Sequence, residues 1–150
     1  MKKLLYLFTA ICMLSTACDF ETSDNGSLDG YWQLSQLDTL TAGSSDMRSS
    51  GLFWSVQVRL LEIRNNFDAN RSILFRFEQK GDYLRLWNPV ADNKNISDSV
   101  ITSPVTLAQY NIEGALNAEG VLESTLKVEQ LDDDRMVLSN SGFRFHFRKY

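Results

Sequence analysis

The sequence predicts an all-β domain, a single antiparallel up-and-down β-barrel of about eight strands with one short helix. Three observations carry that expectation. From Gly30 to the end of the chain, apolar and polar residues alternate with a period of two, as in strands that bury one face, while helical periodicity is nearly absent. Short turn-forming stretches separate the alternating runs, so consecutive strands pair antiparallel. Strands with one apolar face each must stack as a sandwich or close on themselves, and closure removes exposed edges. A barrel is therefore favoured, although Pro89 to Gly120 is long enough for the crossing connection of a sandwich.

The strands read in order as follows. Trp32 and Leu34 share a face in Tyr31 to Asp38. Trp54, Val56, Val58 and Leu60 share a face in the next run, and the adjacent Leu60 and Leu61 followed by Ile63 imply a β-bulge that switches the inward set. Ile73, Phe75 and Phe77 lead through Lys80-Gly81-Asp82 to Leu84 and Leu86, a hairpin. Leu126 and Val128 lead through Asp132-Asp133-Asp134 to Met136 and Leu138. After Ser139-Asn140-Ser141-Gly142, the final strand sets Phe143, Phe145 and Phe147 against Arg144, His146 and Arg148. That makes seven readable strands, with an eighth expected from Ser99 to Thr102 or from residues near Leu116. Thr41 to Gly51 and Pro89 to Ser103 read as loops. Ser103-Pro104 starts a short helix that carries Leu107 and Tyr110 on one side and covers a barrel end.

The first residues have a different character. Lys2 and Lys3 precede an apolar run of eleven residues from Leu4 to Leu14, which is too short to span a bilayer, and then Ser15-Thr16-Ala17. Ala17-Cys18 resembles the lipobox of bacterial lipoproteins, although Ser15 stands where an apolar residue is usual. The resemblance implies cleavage before Cys18, acylation of Cys18 with fatty acids, and an outer-membrane lipoprotein of the cell envelope, facing the periplasm or the cell surface. The organisation expected is a signal peptide over 1–17, an acylated cysteine and flexible tether over 18–29, and a barrel domain over 30–150.

Composition narrows the function. The signal carries two of the fifteen basic residues and none of the nineteen acidic ones, so the mature chain holds thirteen against nineteen, a balance of −6. An acidic surface argues against nucleic acid as a partner. Cys18 is the one cysteine after cleavage, so no disulfide framework or cysteine-based zinc site is expected, and no cofactor is implied.

Gly30-Tyr31-Trp32 at the start of the first strand resembles the Gly-X-Trp motif that opens lipocalins. The closing Phe147-Arg148-Lys149-Tyr150 is similar to the ends of small lipocalin-like, calycin-type domains in bacterial lipoproteins, most of them without known function. The resemblance implies that Trp32 closes one barrel end beneath a basic residue of the last strand, with Arg148 favoured over Arg144. It also implies carriage of a small hydrophobic ligand, but the chain lacks the Thr-Asp-Tyr motif and the disulfides of many lipocalins.

Chemistry-bearing residues are few. His146 is the single histidine and lies between two arginines with no nucleophile near it in sequence, so no catalytic residue is expected. Asp132 to Asp134 and the run Asp92 to Asp98 lack the alternating ligands and bend glycine of a calcium loop, and read as Asx turns. Trp54, Phe75, Phe77, Phe143, Phe145 and Phe147 face inward and either line a pocket for an apolar ligand or fill the lumen. A barrel of eight strands is just wide enough for its own side chains, which favours filling. Two functions follow: an interaction module for an envelope partner, with Tyr83, Arg85 and Trp87 as outward anchors, or a module that binds a small hydrophobic ligand at the barrel mouth.

Overall fold

The alternation is realised in a computed structural model that describes residues 23–92 and 99–150; the segment 1–17 expected as a signal peptide, Cys18 and the run 93–98 lie outside the described residues. The strands are β1 (Gly30–Thr39), β2 (Gly43–Asp46), β3 (Leu52–Gln57), β4 (Leu60–Asn65), β5 (Asp68–Lys80), β6 (Tyr83–Asp92), β7 (Ser99–Val100), β8 (Ala115–Leu116), β9 (Leu122–Leu131), β10 (Arg135–Ser139) and β11 (Phe143–Lys149). Helix α1 (Pro104–Ala108) lies between β7 and β8. Eight strands form a closed ring in chain order, β1, β3 to β6 and β9 to β11, with β11 returning to β1 and every pairing antiparallel. The up-and-down barrel expected from the sequence is the fold.

The eighth stave does not come from either expected place. β7 and β8 are two-residue strands that pair with β6 and β9 at the rim, outside the ring. The extra stave arises because the run from Trp54 to Ile63 is two strands joined by a turn at Val58-Arg59, where a single bulged strand was expected. The turn lacks the Asn or Gly that two-residue hairpins favour, and Val58 takes a left-handed φ of 54°. Distant residues hold it there: the Val58 amide donates to Ser23 Oγ at 3.1 Å and Asn25 Nδ2 donates to the Val58 carbonyl at 2.9 Å. The loop expected over Thr41 to Gly51 likewise contains β2, paired with the second half of β1.

Inward side chains form one continuous core that includes Trp32, Trp54, Leu61, Phe75, Leu84, Leu86, Leu126, Met136, Leu138, Phe145 and Phe147. Burying each large side chain contributes about 1.5–3 kcal/mol, and this one cluster supports the ring without cross-links. In β6, Asn88 at φ 52° starts a bulge that sets Asn88 and Pro89 opposite Phe75, which lets a proline sit within a strand and returns Val90 to register with Leu74.

Both ends are plugged. At one end α1 and the residues after it insert Leu107 and Ile112, both essentially unexposed. At the other, a 3-10 turn over Gly26–Leu28 drops Leu28 into the barrel, and Trp32 Nε1 donates to the Leu28 carbonyl at 2.8 Å. The flexible tether expected over 18–29 therefore needs correction. From Ser23 onward the chain is seated on the barrel, because Ser23 and Asn25 bond the Val58 amide and carbonyl and Leu28 is buried in the barrel end.

Candidate functional site

The tether end holds the motif that the sequence singled out. Gly30 has φ 129°, and a Cβ there would meet Lys149 Cε at 2.9 Å, so glycine serves both the backbone conformation and the approach of the lysine. The cation over Trp32 is Lys149, whose Nζ lies 4.7 Å from the ring centroid and donates to the Ser27 carbonyl at 3.0 Å. The expectation that Arg148 fills this role is corrected. Trp32 pairs with Lys149 and Gln33 with Arg148, so Arg148 points outward and its Nε donates to Gln33 Oε1 at 2.7 Å. Arg144 is also elsewhere, paired with Glu129 at 2.7 Å. Lys149 continues the inward set Phe143, Phe145, Phe147, a signal present in the alternation of the last strand.

The inward aromatics meet in the lumen. Trp54 packs on Phe147 at 4.9 Å and on Phe145 at 6.2 Å between centroids, and Phe145 stacks with Phe147 at 6.4 Å. Phe75 and Phe145 are 1% exposed and Phe77 8%. With almost no surface open to water, these side chains fill the space around themselves. Phe143, at the α1 end, is only partly buried and borders an open groove of ≈ 380 Å³ with Pro104, Val105, Ala108 and Ile112.

His146 lies on the outer face, with Nε2 2.7 Å from Asp38 Oδ2. The carboxylate also accepts from Ser44 Oγ at 2.6 Å and Gln36 Nε2 at 2.7 Å. These bonds, that of Ser44 first, then Gln36 and His146, hold the Asp38 carboxyl down at about 2. The serine is bonded to the aspartate and not to the imidazole, so the order needed to activate a serine nucleophile is not built here. Asp132, in the triple-aspartate turn, accepts from the backbone amides of Asp134 and Arg135 and from Gln130, which is the Asx-turn role. Among the described residues no three His, Cys, Asp or Glu side chains converge to hold a metal ion.

Arg85 sits 5.0 Å over the outward Trp87 ring and bridges to Glu123, and Tyr83 on the same wall is exposed. A second open groove, of ≈ 490 Å³, runs along the outer wall among Val58, Arg59, Leu60, Glu62, Leu74 and Arg76. Nothing in the local alternation marked it, because it depends on the unexpected turn at Val58-Arg59.

A closed antiparallel barrel of eight staves, plugged at both ends and sealed by a tryptophan beneath a lysine, defines a calycin-type domain. The chain belongs to the family of lipocalin-like domains, whose model matches residues 12–150. Two solved structures share the fold. A lipocalin-like protein from Bacteroides uniformis superposes with a TM-score of 0.56 at 18% identity, covering 83% of this chain and all of that one. An uncharacterized protein from Bacteroides eggerthii superposes with a TM-score of 0.51 at 20% identity, covering 81% of this chain and 98% of that one. No curated protein matches the chain.

Proposed function

We propose that this chain is a lipid-anchored lipoprotein of the cell envelope whose lipocalin-like barrel is a non-enzymatic interaction module and not a lumenal carrier. The observation that carries the reading is the packed lumen, with Phe75, Phe145, Leu84, Leu86 and Leu126 all at 0–1% exposure. A ligand inside would have to displace side chains that already supply the core. The exposed surface supports an interaction role. Strand direction sets Leu40, Phe67, Val100, Val105 and Leu116 toward the α1 end, opposite Ser23, and all five are exposed. The anchor rests on the charged, apolar and small-residue sequence that ends in Cys18. Cell fractionation and intact mass test it: Cys18→Ser should release the protein from membranes, and a wild-type chain without acyl mass refutes the anchor.

A second reading, binding of a small hydrophobic ligand at the mouth, is favoured by the groove lined by Pro104, Val105, Ala108, Ile112 and Phe143. Saturable uptake of a fatty-acid fluorophore that Val105→Asp abolishes would select it.

A further inference from the structure

The outer groove at the β3–β4 turn lies against the seated N-terminal segment. Ser23 accepts from the Val58 amide, and Cys18 stands five positions before Ser23, a reach of at most about 18 Å when fully extended. Whatever holds Cys18 therefore lies close to Val58, Arg59 and Leu60. Within the groove, Glu62 is engaged by Arg64 and Ser72. Arg59 and Arg76 have no ion-pair or hydrogen-bond partner among the described residues, and they face solvent beside Leu60 and Leu74.

The groove continues into the neighbouring wall. Leu60 pairs with Arg76 and Arg76 with Trp87, so an exposed leucine, a free guanidinium and a half-buried indole form one cross-strand row. Four residues closer to the tether end, Lys80 pairs with Tyr83 and Tyr83 with Lys127, an exposed tyrosine between two lysines. Arg85, in the row between them, is neutralised by Glu123. At the tether end of β5 and β6, Glu78 and Asp82 stand with Arg59, Arg76, Lys80 and Lys127, and Asp24 and Asp29 belong to the seated segment beside Val58. The acidic turn Asp132 to Asp134 joins β9 to β10 at the same end, where Asp133 accepts from Ser27 Oγ at 2.8 Å, but it is displaced from β4 and β5 around the ring.

We propose that the outer wall of β4, β5 and β6 nearest the tether is a membrane-docking face, on which Arg59 and Arg76 take the phosphates of lipid headgroups in the bilayer that holds Cys18. The inference rests on the anchored reading above. Arginine presents its planar fork to phosphate oxygens, while Trp87 and Tyr83 have the apolar body and polar tip suited to the headgroup boundary. Although the whole surface is acidic, the charge is arranged laterally: the triple-aspartate turn shares the tether end but lies on a different side of the ring, so side-on docking through β4 to β6 brings the arginines to an anionic membrane. Docking fixes the direction of the barrel axis, and the apolar α1 end is then presented away from the anchor.

The test supplies the tether chemically, so it does not depend on acylation in the cell. The mature chain from Cys18 to Tyr150 is coupled through its one thiol to a maleimide lipid in vesicles of phosphatidylethanolamine and phosphatidylglycerol. Quenching of tryptophan emission by headgroup spin-labelled lipid is then read. Trp32 and Trp54 are buried, and subtraction of a Trp87→Phe chain isolates Trp87. The expected result is strong quenching of Trp87 that falls severalfold in the Arg59→Glu/Arg76→Glu chain and also weakens with added salt. A control with the same charge change, Arg48→Glu/Arg135→Glu, should keep the quenching, and unchanged urea midpoints show that each fold is intact. Trp87 unquenched in the tethered wild type, or equally quenched in the Arg59→Glu/Arg76→Glu chain, overturns the docking face. Intact mass from cells independently decides the acyl anchor.

Discussion

Lys149 rests over the Trp32 ring at 4.7 Å, and the two residues are direct partners in the β1–β11 pairing. The same lysine donates to the Ser27 carbonyl and Trp32 donates to the Leu28 carbonyl, so one contact joins the first strand, the last strand and the N-terminal plug. Trp32→Ala should cost about 3–5 kcal/mol as the truncation of a buried aromatic. Lys149→Met keeps much of the apolar stem but loses the cation, and should cost about 0.5–2 kcal/mol. Arg148→Ala, on the outer face, should cost less than about 1 kcal/mol. Urea melts of the three variants check the order, and an Arg148 effect larger than that of Lys149 would contradict the assignment.

Acid should loosen the β1–β11 seam through Asp38. Its carboxyl is held at about 2 against an ordinary 3.8, chiefly by Ser44, then by Gln36 and His146. A carboxyl depressed in the folded state contributes stability that is complete above its unfolded value and is lost as pH falls from about 3.8 to about 2. Asp38→Asn should therefore lower the urea midpoint near neutral pH, and its difference from wild type should shrink across that window. Asp46, held down to about 2 by its exposed partner Arg48, titrates in the same range, so Asp46→Asn is the comparison that isolates the seam. A constant difference between wild type and Asp38→Asn from pH 6 to pH 2 would contradict this account.

The features legible in the sequence are those that neighbouring residues determine. The Gly81-Asp82 hairpin, the alternation of Phe143 to Phe147 and the Pro104 helix start all depend on residues within a few positions of one another, and the structure contains each. What escaped depends on distant partners. Val58 takes a left-handed turn because Ser23 and Asn25 hold its amide and carbonyl, and no local residue of that turn announces it. Leu28 looked like part of a polar tether because one leucine among Asp, Ser and Asn carries no periodicity, yet it fills the barrel end. Lys149 is legible in the sequence, since it shares the parity of the three phenylalanines, whereas Arg144 and Arg148 share that of the outward His146.

The lumen offers the sharpest contrast between a filled barrel and a carrier. Phe145 is 1% exposed and touches Trp54, Phe143 and Phe147, so Phe145→Ala should cost about 3–5 kcal/mol and leave an apolar void. Such a void stays dry and accepts small apolar molecules, so benzene should stabilise Phe145→Ala and leave the wild type unchanged. By mass action, a ligand at one hundred times its dissociation constant adds about 2.7 kcal/mol, which a thermal or urea melt resolves easily. The wild type should take up fatty-acid fluorophores weakly or not at all. Saturable micromolar uptake by the wild type that is lost in Phe145→Asp, with circular dichroism showing the fold intact, would mean that the aromatics move aside for a ligand and that the barrel is a carrier.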